Sequence, residues 1–350
     1  MFQAVWNLHA PLLSMITNWG YMKISAFKYG LLAAVLFATS WGTASASAVL
    51  TSAAVMQGFG LSTFLDGVPA SGFCCGPLGI VNTPGGNILV SNYPGDLRSF
   101  TDVDGHHWSD SPTAAGASYG GNNGVGLAAL GAKYYLTEQS AGKVVEVTST
   151  GVFVQDIVSI GGATGIVGNP FNGHLYVSNG GQIFEVDPVA KSFVVFNNAG
   201  ADGLTLSADG SILYAEAAGQ IFGYRTSDAA EVFASGGIAG GPDGAAFGSG
   251  ALAGNLFVNT NRGELIEIDL VTKLQTILVT GGSRGDFVNV DLNNGTLLFT
   301  QTDRVLRLTA PSGGCFGNTC NVVPEPGSLA LSSLALAGLF WLRRTSAKAR

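Results

Sequence analysis

The stretch HLYVSNGGQIFEVD, residues 174–187, decides the fold, because it holds two apolar strands around a Gly-Gly turn and recurs along the chain. Versions of its first strand read NILVSN (87–92), KYYLTE (133–138), SILYAE (211–216), NLFVNT (255–260) and TLLFTQ (296–301). The second strands read GDLRSFT, GKVVEVT, GQIFEVD, GQIFGYR, GELIEID and DRVLRLT. Because apolar and polar residues alternate in these second strands, the pattern predicts repeated antiparallel hairpins that each bury one face.

One strand precedes each hairpin and another follows most of them. The first strands are marked by Gly79, Gly126, Gly165, Gly203, Gly244 and Phe287, at intervals of 38 to 47 residues. The fourth strands read GVFVQDI (151–157), SFVVFNN (192–198), AEVFASG (230–236) and LQTILVTG (274–281). Six copies of a four-stranded unit predict an all-β protein, a six-bladed β-propeller of four-stranded blades, with a β-helix or a sandwich as the alternative.

The ends of the repeat region suggest how the ring closes. The sixth repeat has no fourth strand, and HHWSDSP (106–112) interrupts that of the first. GLSTFLDG (60–67) has the pattern of the missing strand. We therefore predict a propeller over residues 49–312 whose ring is closed by an N-terminal strand, which leaves no unprotected edge there. A Cys-containing linker, 313–321, is predicted to follow.

Composition supports this class and excludes one kind of partner. Charged residues make up 11% of the chain, the net charge is -7, and 51 residues are glycine. Such a composition favours short strands joined by tight turns over long solvent-exposed helices. Nucleic-acid binding depends on clustered positive charge, and the body has no Lys/Arg cluster. We therefore expect no nucleic-acid partner.

The segment 22–48, MKISAFKYGLLAAVLFATSWGTASASA, has the pattern of a secretory signal peptide. Lys23 and Lys28 precede an apolar run, and small residues follow it. Cleavage after Ala46 or Ala48 fits the small-x-small rule equally well, and passage through the secretion machinery follows. Residues 1–21 are interpreted as an over-extended leader. The alternative is that 22–48 forms a buried helix of a globular domain.

The last segment, 322–350, combines a Pro-Glu-Pro motif, an apolar run over 329–342 and a basic end. This order resembles the PEP-CTERM sorting signal, carried here by Val323, Pro324, Glu325, Pro326, Gly327, Arg343 and Arg344. The resemblance implies a C-terminal hydrophobic helix, transient insertion in the inner membrane, recognition by an exosortase, and delivery to the cell surface or the extracellular polymer matrix. The alternative is an ordinary anchor that is never cleaved.

Four cysteines flank the repeats: Cys74, Cys75, Cys315 and Cys320. An exported protein can form disulfides, and three pairings are open. Cross-pairing would join the two ends of the ring, whereas Cys315 with Cys320 would close a local loop. A metal site is disfavoured because no Cys-x-x-Cys occurs.

Candidate binding residues precede the first strands, where propellers direct loops toward the central channel. They are Asn123, Asp202, Asp243 and Asp286. Several side-chain oxygens around one axis could hold a hard divalent cation such as Ca²⁺, although Asn-Gly and Asp-Gly are also ordinary turn sequences. A second cluster, His106 and His107 with Asp102, Asp104 and Asp110, is interpreted as a solvated loop, with a metal site as the alternative.

The repeats resemble the six-bladed propellers that include the NHL-repeat proteins and the gluconolactonase-like (SMP-30-like) lactonases. The segments PLGIVNTPGGNILVSN (77–92) and GADGLTLSADGSILYAE (200–216) carry the likeness. A lactonase would imply a metal held by Glu, Asn and Asp, with the Glu in a Glu-Gly-Pro start of the first blade. Here that start is Cys75-Gly76-Pro77.

No catalytic set is evident, so we predict a non-catalytic binding or structural component of the cell surface or matrix, with an extracellular polysaccharide or a surface protein as its partner. The alternative is a metal-dependent lactonase-like hydrolase using Asn123, Asp202 and Asp243 in the central channel.

Overall fold

The computed structural model describes residues 47–71, 75–93, 95–112 and 123–317. The predicted leader, most of the signal peptide with the Ala46 site, and the predicted sorting tail lie outside these residues. Within the described residues, no helix is long and apolar enough to cross a membrane. The apolar run 329–342 is not among them.

The described chain begins with a short strand, a helix and a longer strand. These are β1 (Val49–Leu50), α1 (Ser52–Gln57) and β2 (Gly60–Asp66). Thr51 caps α1, since its side chain accepts the Ala54 N–H at 3.2 Å. Gly58 ends the helix in the left-handed region, at φ 93°, which glycine adopts without steric cost.

Six antiparallel sheets follow, and they form the blades of a six-bladed propeller. Blade 1 comprises β3 (Pro77–Thr83), β4 (Asn87–Asn92) and β5 (Leu97–Thr101); β6 (His106–His107) follows it; blade 2 comprises β7 (Gly124–Leu130), β8 (Lys133–Glu138), β9 (Lys143–Val147) and β10 (Phe153–Ser159). Blade 3 comprises β11 (Ile166–Asn169), β12 (His174–Ser178), β13 (Ile183–Asp187) and β14 (Ser192–Asn197).

The remaining blades follow the same order from the inner to the outer strand. Blade 4 comprises β15 (Leu204–Leu206), β16 (Ile212–Ala217), β17 (Gln220–Arg225) and β18 (Glu231–Ala234); blade 5 comprises β19 (Pro242–Gly250), β20 (Asn255–Thr260), β21 (Leu265–Asp269) and β22 (Gln275–Thr280); blade 6 contains β23 (Val288–Asp291), β24 (Thr296–Gln301) and β25 (Arg304–Thr309); β26 (Gly314–Phe316) comes last. The predicted all-β, six-bladed architecture is confirmed.

Ring closure follows the prediction. Strand β2 pairs antiparallel with β25, from Gly60 opposite Thr309 to Leu65 opposite Val305, and so becomes the fourth strand of blade 6. Strand β6 then pairs parallel with β2 as a fifth strand. Blade 1 keeps three strands, because the residues after β5 cross to its neighbour.

A buried arginine joins the same two blades. Arg307, on β25, is 5% exposed. Its guanidinium contacts Asp104 Oδ1 at 2.7 Å, Asp102 Oδ1 at 2.5 Å and Asp291 Oδ2 at 2.5 Å. Asp102 and Asp104 belong to the loop after β5, so their ion pairs with Arg307 hold blade 1 against blade 6.

Most of this loop is exposed, as predicted, including Asp104, His107 and Asp110, but His106 is half-buried and packs against aromatic side chains. The ring of His106 lies 5.8 Å from that of Phe64 and 5.4 Å from that of Phe100. The carboxylate of Asp110 accepts the His107 N–H at 2.7 Å. The sequence showed the residue types but not the distant aromatic and arginine partners.

Blade 5 holds both ends of the described chain. Strand β1 pairs with β22 at its outer edge, and β26 pairs with the end of β19. Phe316 is buried, with its ring 4.7 Å from that of Phe257. The structured body therefore continues into the segment predicted as a linker.

Glycine begins the inner strands because adjacent blades approach closely there. A Cβ on Gly126 would lie 2.6 Å from Thr164 O, and one on Gly244 would lie 2.6 Å from Asp286 O. A Cβ on Gly165 would overlap Asp202 O. No side chain fits between an inner strand and the next blade's backbone, which explains the repeating glycine in the sequence.

Candidate functional site at the channel mouth

The residue before each strand marker lies at the end of the channel where the inner strands begin. We call these six residues the mouth ring: Leu78, Val125, Thr164, Asp202, Asp243 and Asp286. Their equivalence follows from the marker glycines, since Gly79 faces Val125 O, Gly126 faces Thr164 O and Gly203 faces Asp243 O. The mouth ring therefore presents one side chain from every blade.

One side of the mouth ring is apolar. Leu78 and Val125 form a buried cluster with Cys75, and Tyr93 and Phe287 pack against it. Cys75 is disulfide-bonded. It occupies the position at which the lactonase resemblance implies a metal-ligating glutamate, so no carboxylate is available there.

The structure separates the two described cysteines. A Cβ on Gly76, next to Cys75, would overlap Thr302 O, whereas a Cβ on Gly295 would lie 3.1 Å from Cys315 Cβ. Strand β24 connects Gly295 to Thr302, a span of about 23 Å at 3.3 Å per residue. Both cysteines are disulfide-bonded, and this span is too long for a bond between them.

Cys74 and Cys320 lie outside the described residues. Pairing of Cys315 with Cys320, and cross-pairing that uses Cys74 or Cys320, stay predictions.

Hydroxyl groups tie the first three blades together behind the mouth ring. Ser91 Oγ accepts the Gly79 N–H at 2.9 Å and donates to Val125 O at 3.1 Å. Thr137 Oγ1 accepts the Gly126 N–H at 2.7 Å and donates to Thr164 O at 2.6 Å. Each hydroxyl thus accepts one hydrogen bond within its own blade and donates one to the next blade.

Ser178 repeats this arrangement between blades 3 and 4. Its Oγ accepts the Gly165 N–H at 3.0 Å and donates to Asp202 O at 3.0 Å. Its backbone N–H donates to Gly165 O at 2.9 Å, which fixes the register of the hydroxyl against the inner strand.

Glu216 takes the corresponding place in blade 4. Its backbone N–H donates to Gly203 O at 3.1 Å, as that of Ser178 does to Gly165 O. A Cβ on Gly203 would lie 2.6 Å from Glu216 Oε2 and 2.8 Å from Asp243 O. A carboxyl group therefore stands where blades 1, 2, 3 and 6 have a hydroxyl, that of blade 6 being Thr300.

The environment of Glu216 opposes its ionisation. The residue is 2% exposed, and neither carboxyl oxygen has a hydrogen-bond partner. Burial, together with the charge of Asp202, raises the pKa of Glu216 to about 8. The carboxyl therefore carries a proton at neutral pH in the folded protein.

Asp243 and Asp286 share one guanidinium. Arg284 Nη2 lies 3.2 Å from Asp243 Oδ2 and 2.8 Å from Asp286 Oδ1. Burial and the charges of Asp202 and Asp286 raise the pKa of Asp243 well above its usual value. Burial raises the pKa of Asp286 to about 6 against the opposing effect of Arg284, and Asp286 Oδ2 has no hydrogen-bond partner.

The structure brings three of the four predicted cation ligands to the mouth ring. Asn123 stands apart, two residues before Val125, with φ 51° and with its carbonyl accepting the Gln139 N–H at 3.0 Å. In the part of the chain that is described, no three His, Cys, Asp or Glu side chains are placed to hold a metal ion. Arg284 already lies against Asp243 and Asp286, so the donor set does not fit the metal that a lactonase would carry.

A cavity of about 540 Å³ opens beside the polar side of the mouth ring. Asp202 and Glu216 line it, together with the amide side chains of Gln139, Asn179 and Asn261. Glycines complete much of its wall: Gly162, Gly180, Gly200, Gly219 and Gly241. The cavity thus combines two carboxyl groups, three amides and exposed backbone, which is a polar binding surface.

Comparison with known proteins supports the sorting signal and the fold. Residues 322–344 match the model of the PEP-CTERM protein-sorting motif. That motif implies export, processing by an exosortase and sorting to the cell surface. No curated protein matches the chain by sequence.

Solved structures resemble the body as propellers. A gluconolactonase from Xanthomonas campestris has a TM-score of 0.59 and 13% identity, over 75% of this chain and 95% of that one. A putative oxidoreductase (glucose dehydrogenase) from Thermus thermophilus has a TM-score of 0.54 and 17% identity, over 72% and 100%. At these identities the likeness establishes a fold shared with gluconolactonase-like and NHL-type propellers, not an activity.

Proposed function

We propose that this protein is a non-catalytic binding component of the cell surface or the extracellular polymer matrix, and that its mouth cavity holds a polysaccharide segment. The observation that carries this proposal is the cavity wall of amide, carboxyl and backbone groups, which can donate to and accept from sugar hydroxyls. The sorting motif supports the location, since it implies export and sorting to the cell surface.

Binding of the purified protein to a panel of soluble oligosaccharides tests the ligand class. We expect saturable binding that is lost when Gly219 is replaced by tryptophan, because an indole there would occupy the cavity. Absence of saturable binding to every saccharide in the panel would contradict the proposal.

Delivery is tested with epitope tags at the two ends of the mature chain. We expect the surface form to lack a tag placed after Arg350 and to keep one inserted near its N-terminus, because the exosortase removes the tail. Retention of the C-terminal tag on the surface form would instead support an uncleaved anchor.

The second candidate is a metal-dependent lactonase-like hydrolase. The gathering of Asp202, Asp243 and Asp286 favours it, whereas Arg284 and the disulfide-bonded Cys75 oppose it. Metal analysis with a lactone-hydrolysis screen separates the two. Bound divalent metal with chelator-sensitive turnover would establish the hydrolase and refute the binding-only function.

A further inference from the structure

We propose that the mouth cavity selects a saccharide that carries a free, protonated amine, and that Asp202 and Glu216 receive its ammonium group. This inference rests on the proposed function, because it names the sugar class that the same cavity takes. It is argued from the charges, the unpartnered atoms and the rim of the cavity.

Carboxyl groups at the mouth outnumber the one guanidinium that contacts them. Four carboxyl groups lie together, those of Asp202, Glu216, Asp243 and Asp286, and each of them except Glu216 is a member of the mouth ring. The guanidinium of Arg284 contacts Asp243 and Asp286. Among the described residues, neither Asp202 nor Glu216 forms an ion pair, and both line the cavity. The position open to a cation is therefore on the cavity side.

The unpartnered atoms specify a donor. Both oxygens of Glu216 lack a hydrogen-bond partner although the side chain is buried, and such polar atoms are costly to leave unsatisfied. The carboxyl is protonated while no cation is bound, and an arriving ammonium group would release that proton to solvent because a nearby positive charge favours the carboxylate. An ammonium group has three N–H donors and a positive charge, whereas a sugar hydroxyl offers one donor and no charge. An ammonium group is therefore a better partner for the Glu216 carboxyl oxygens than a sugar hydroxyl is.

The amide side chains that line the cavity can bind the hydroxyl groups of a sugar. Asn179 is held in place, since its Oδ1 accepts the Gly181 and Gln182 N–H groups at 3.1 and 2.8 Å. Gln139 Oε1 accepts the Tyr93 hydroxyl at 3.4 Å, and Asn261 Nδ2 donates to Gly241 O at 3.5 Å. The amide nitrogen of Gln139 and the amide oxygen of Asn261 then have no partner among the described residues, so one can donate to and the other can accept from ligand hydroxyls.

A small metal ion satisfies these observations less well. The described residues contain no three-ligand His, Cys, Asp or Glu group, and the nearby guanidinium repels a divalent ion more strongly than a singly charged ammonium group. A protonated amino sugar would place its ammonium group against Asp202 and Glu216. Its hydroxyl groups would bind the amide side chains that line the cavity. The shape and the chemistry of the cavity therefore favour the amino sugar.

The test measures binding of the purified full chain to three tetrasaccharides: one of glucosamine, one of N-acetylglucosamine and one of glucose. Calorimetry at constant pH and ionic strength gives the affinities. We expect the glucosamine form to bind at least tenfold more tightly than the other two. We expect Asp202→Asn and Glu216→Gln to remove that preference while weaker binding of the neutral sugars persists.

The matched control is Glu231→Gln, which changes an exposed carboxyl on outer strand β18 and should leave all three affinities unchanged. Asp202 is exposed, so its variant reports even where a Glu216 variant is poorly folded. Equal affinity for all three sugars would overturn the amine inference but leave the saccharide function standing. Binding of none would refute both, and preference for hexalysine over every sugar would replace the saccharide with a basic peptide.

Discussion

The pH dependence of stability tests the unusual carboxyl group behind the mouth ring. In Glu216→Gln a neutral amide of similar size replaces the buried carboxyl, which lies beside Gly203 near Asp243 O. The variant cannot ionise. The stability difference between the two proteins should therefore report the ionisation of Glu216.

The sign follows from the raised pKa. The group's ordinary value is 4.5 and its folded value is about 8. Between these values the folded protein holds a proton that the unfolded chain has released, so the stability of the wild type falls as pH rises. The slope is about 1.4 kcal/mol per pH unit, which gives an upper limit of roughly 5 kcal/mol over the whole window.

Urea unfolding at pH 5, 6, 7 and 8 measures the effect. Asp243 and Asp286 also have raised pKa values and Arg284 stays charged, but all three remain in both proteins. We expect the stability of the variant relative to the wild type to increase by several kcal/mol from pH 5 to pH 8. Glu231→Gln should give a curve parallel to the wild type. If the Glu216→Gln curve is also parallel, the carboxyl is not a buried, protonated group and the reasoning fails.

Two further changes test the contacts between blades. Arg307→Ala leaves buried Asp291 and half-buried Asp102 without their cation where blades 1 and 6 meet, and should cost about 3–5 kcal/mol in unfolding free energy. Arg225→Ala, on an exposed ion pair, should cost less than about 1 kcal/mol. Gly165→Ala places a methyl group against the next blade's backbone and should cost about 1–3 kcal/mol or more. Gly161→Ala, where a Cβ has no neighbour within 4 Å, is its control. Equal thermal midpoints within either pair would contradict the packing described.

The propeller could be predicted because its determinants are local and repeated. Glycine markers, apolar strands and turn residues recur within each blade, and GLSTFLDG (60–67) has the strand pattern that blade 6 lacks. Strand β6 could not be predicted. It is two residues long and pairs parallel with β2, so no period in the sequence signals it.

The site could be predicted only in part, for a similar reason. The three aspartates precede strand markers, which is a local signal. Glu216 was missed because the alignment of SILYAE (211–216) with HLYVSN (174–179) is wrong by one residue. It places Ala215, not Glu216, at the position of Ser178. Alignment on Gln182 and Gln220, which begin the next strand segment, places Glu216 with Ser178. Arg284 and Arg307 find their partners through long-range packing, which a pattern within one blade does not contain.

The position at which the chain leaves the body bears on how sorting and binding coexist. Gly317 is the last described residue, and its N–H donates to Phe247 O at 2.9 Å. Phe247 lies four residues along β19 from mouth-ring Asp243, a distance of about 13 Å at 3.3 Å per residue. The tail therefore starts away from the mouth cavity, and a chain ending at Asn321 should bind saccharide with the affinity of the full chain, within about twofold by calorimetry. A tenfold loss of affinity in that truncated chain would show that the tail contributes to the site, and the separation of the sorting signal from the binding site would have to be abandoned.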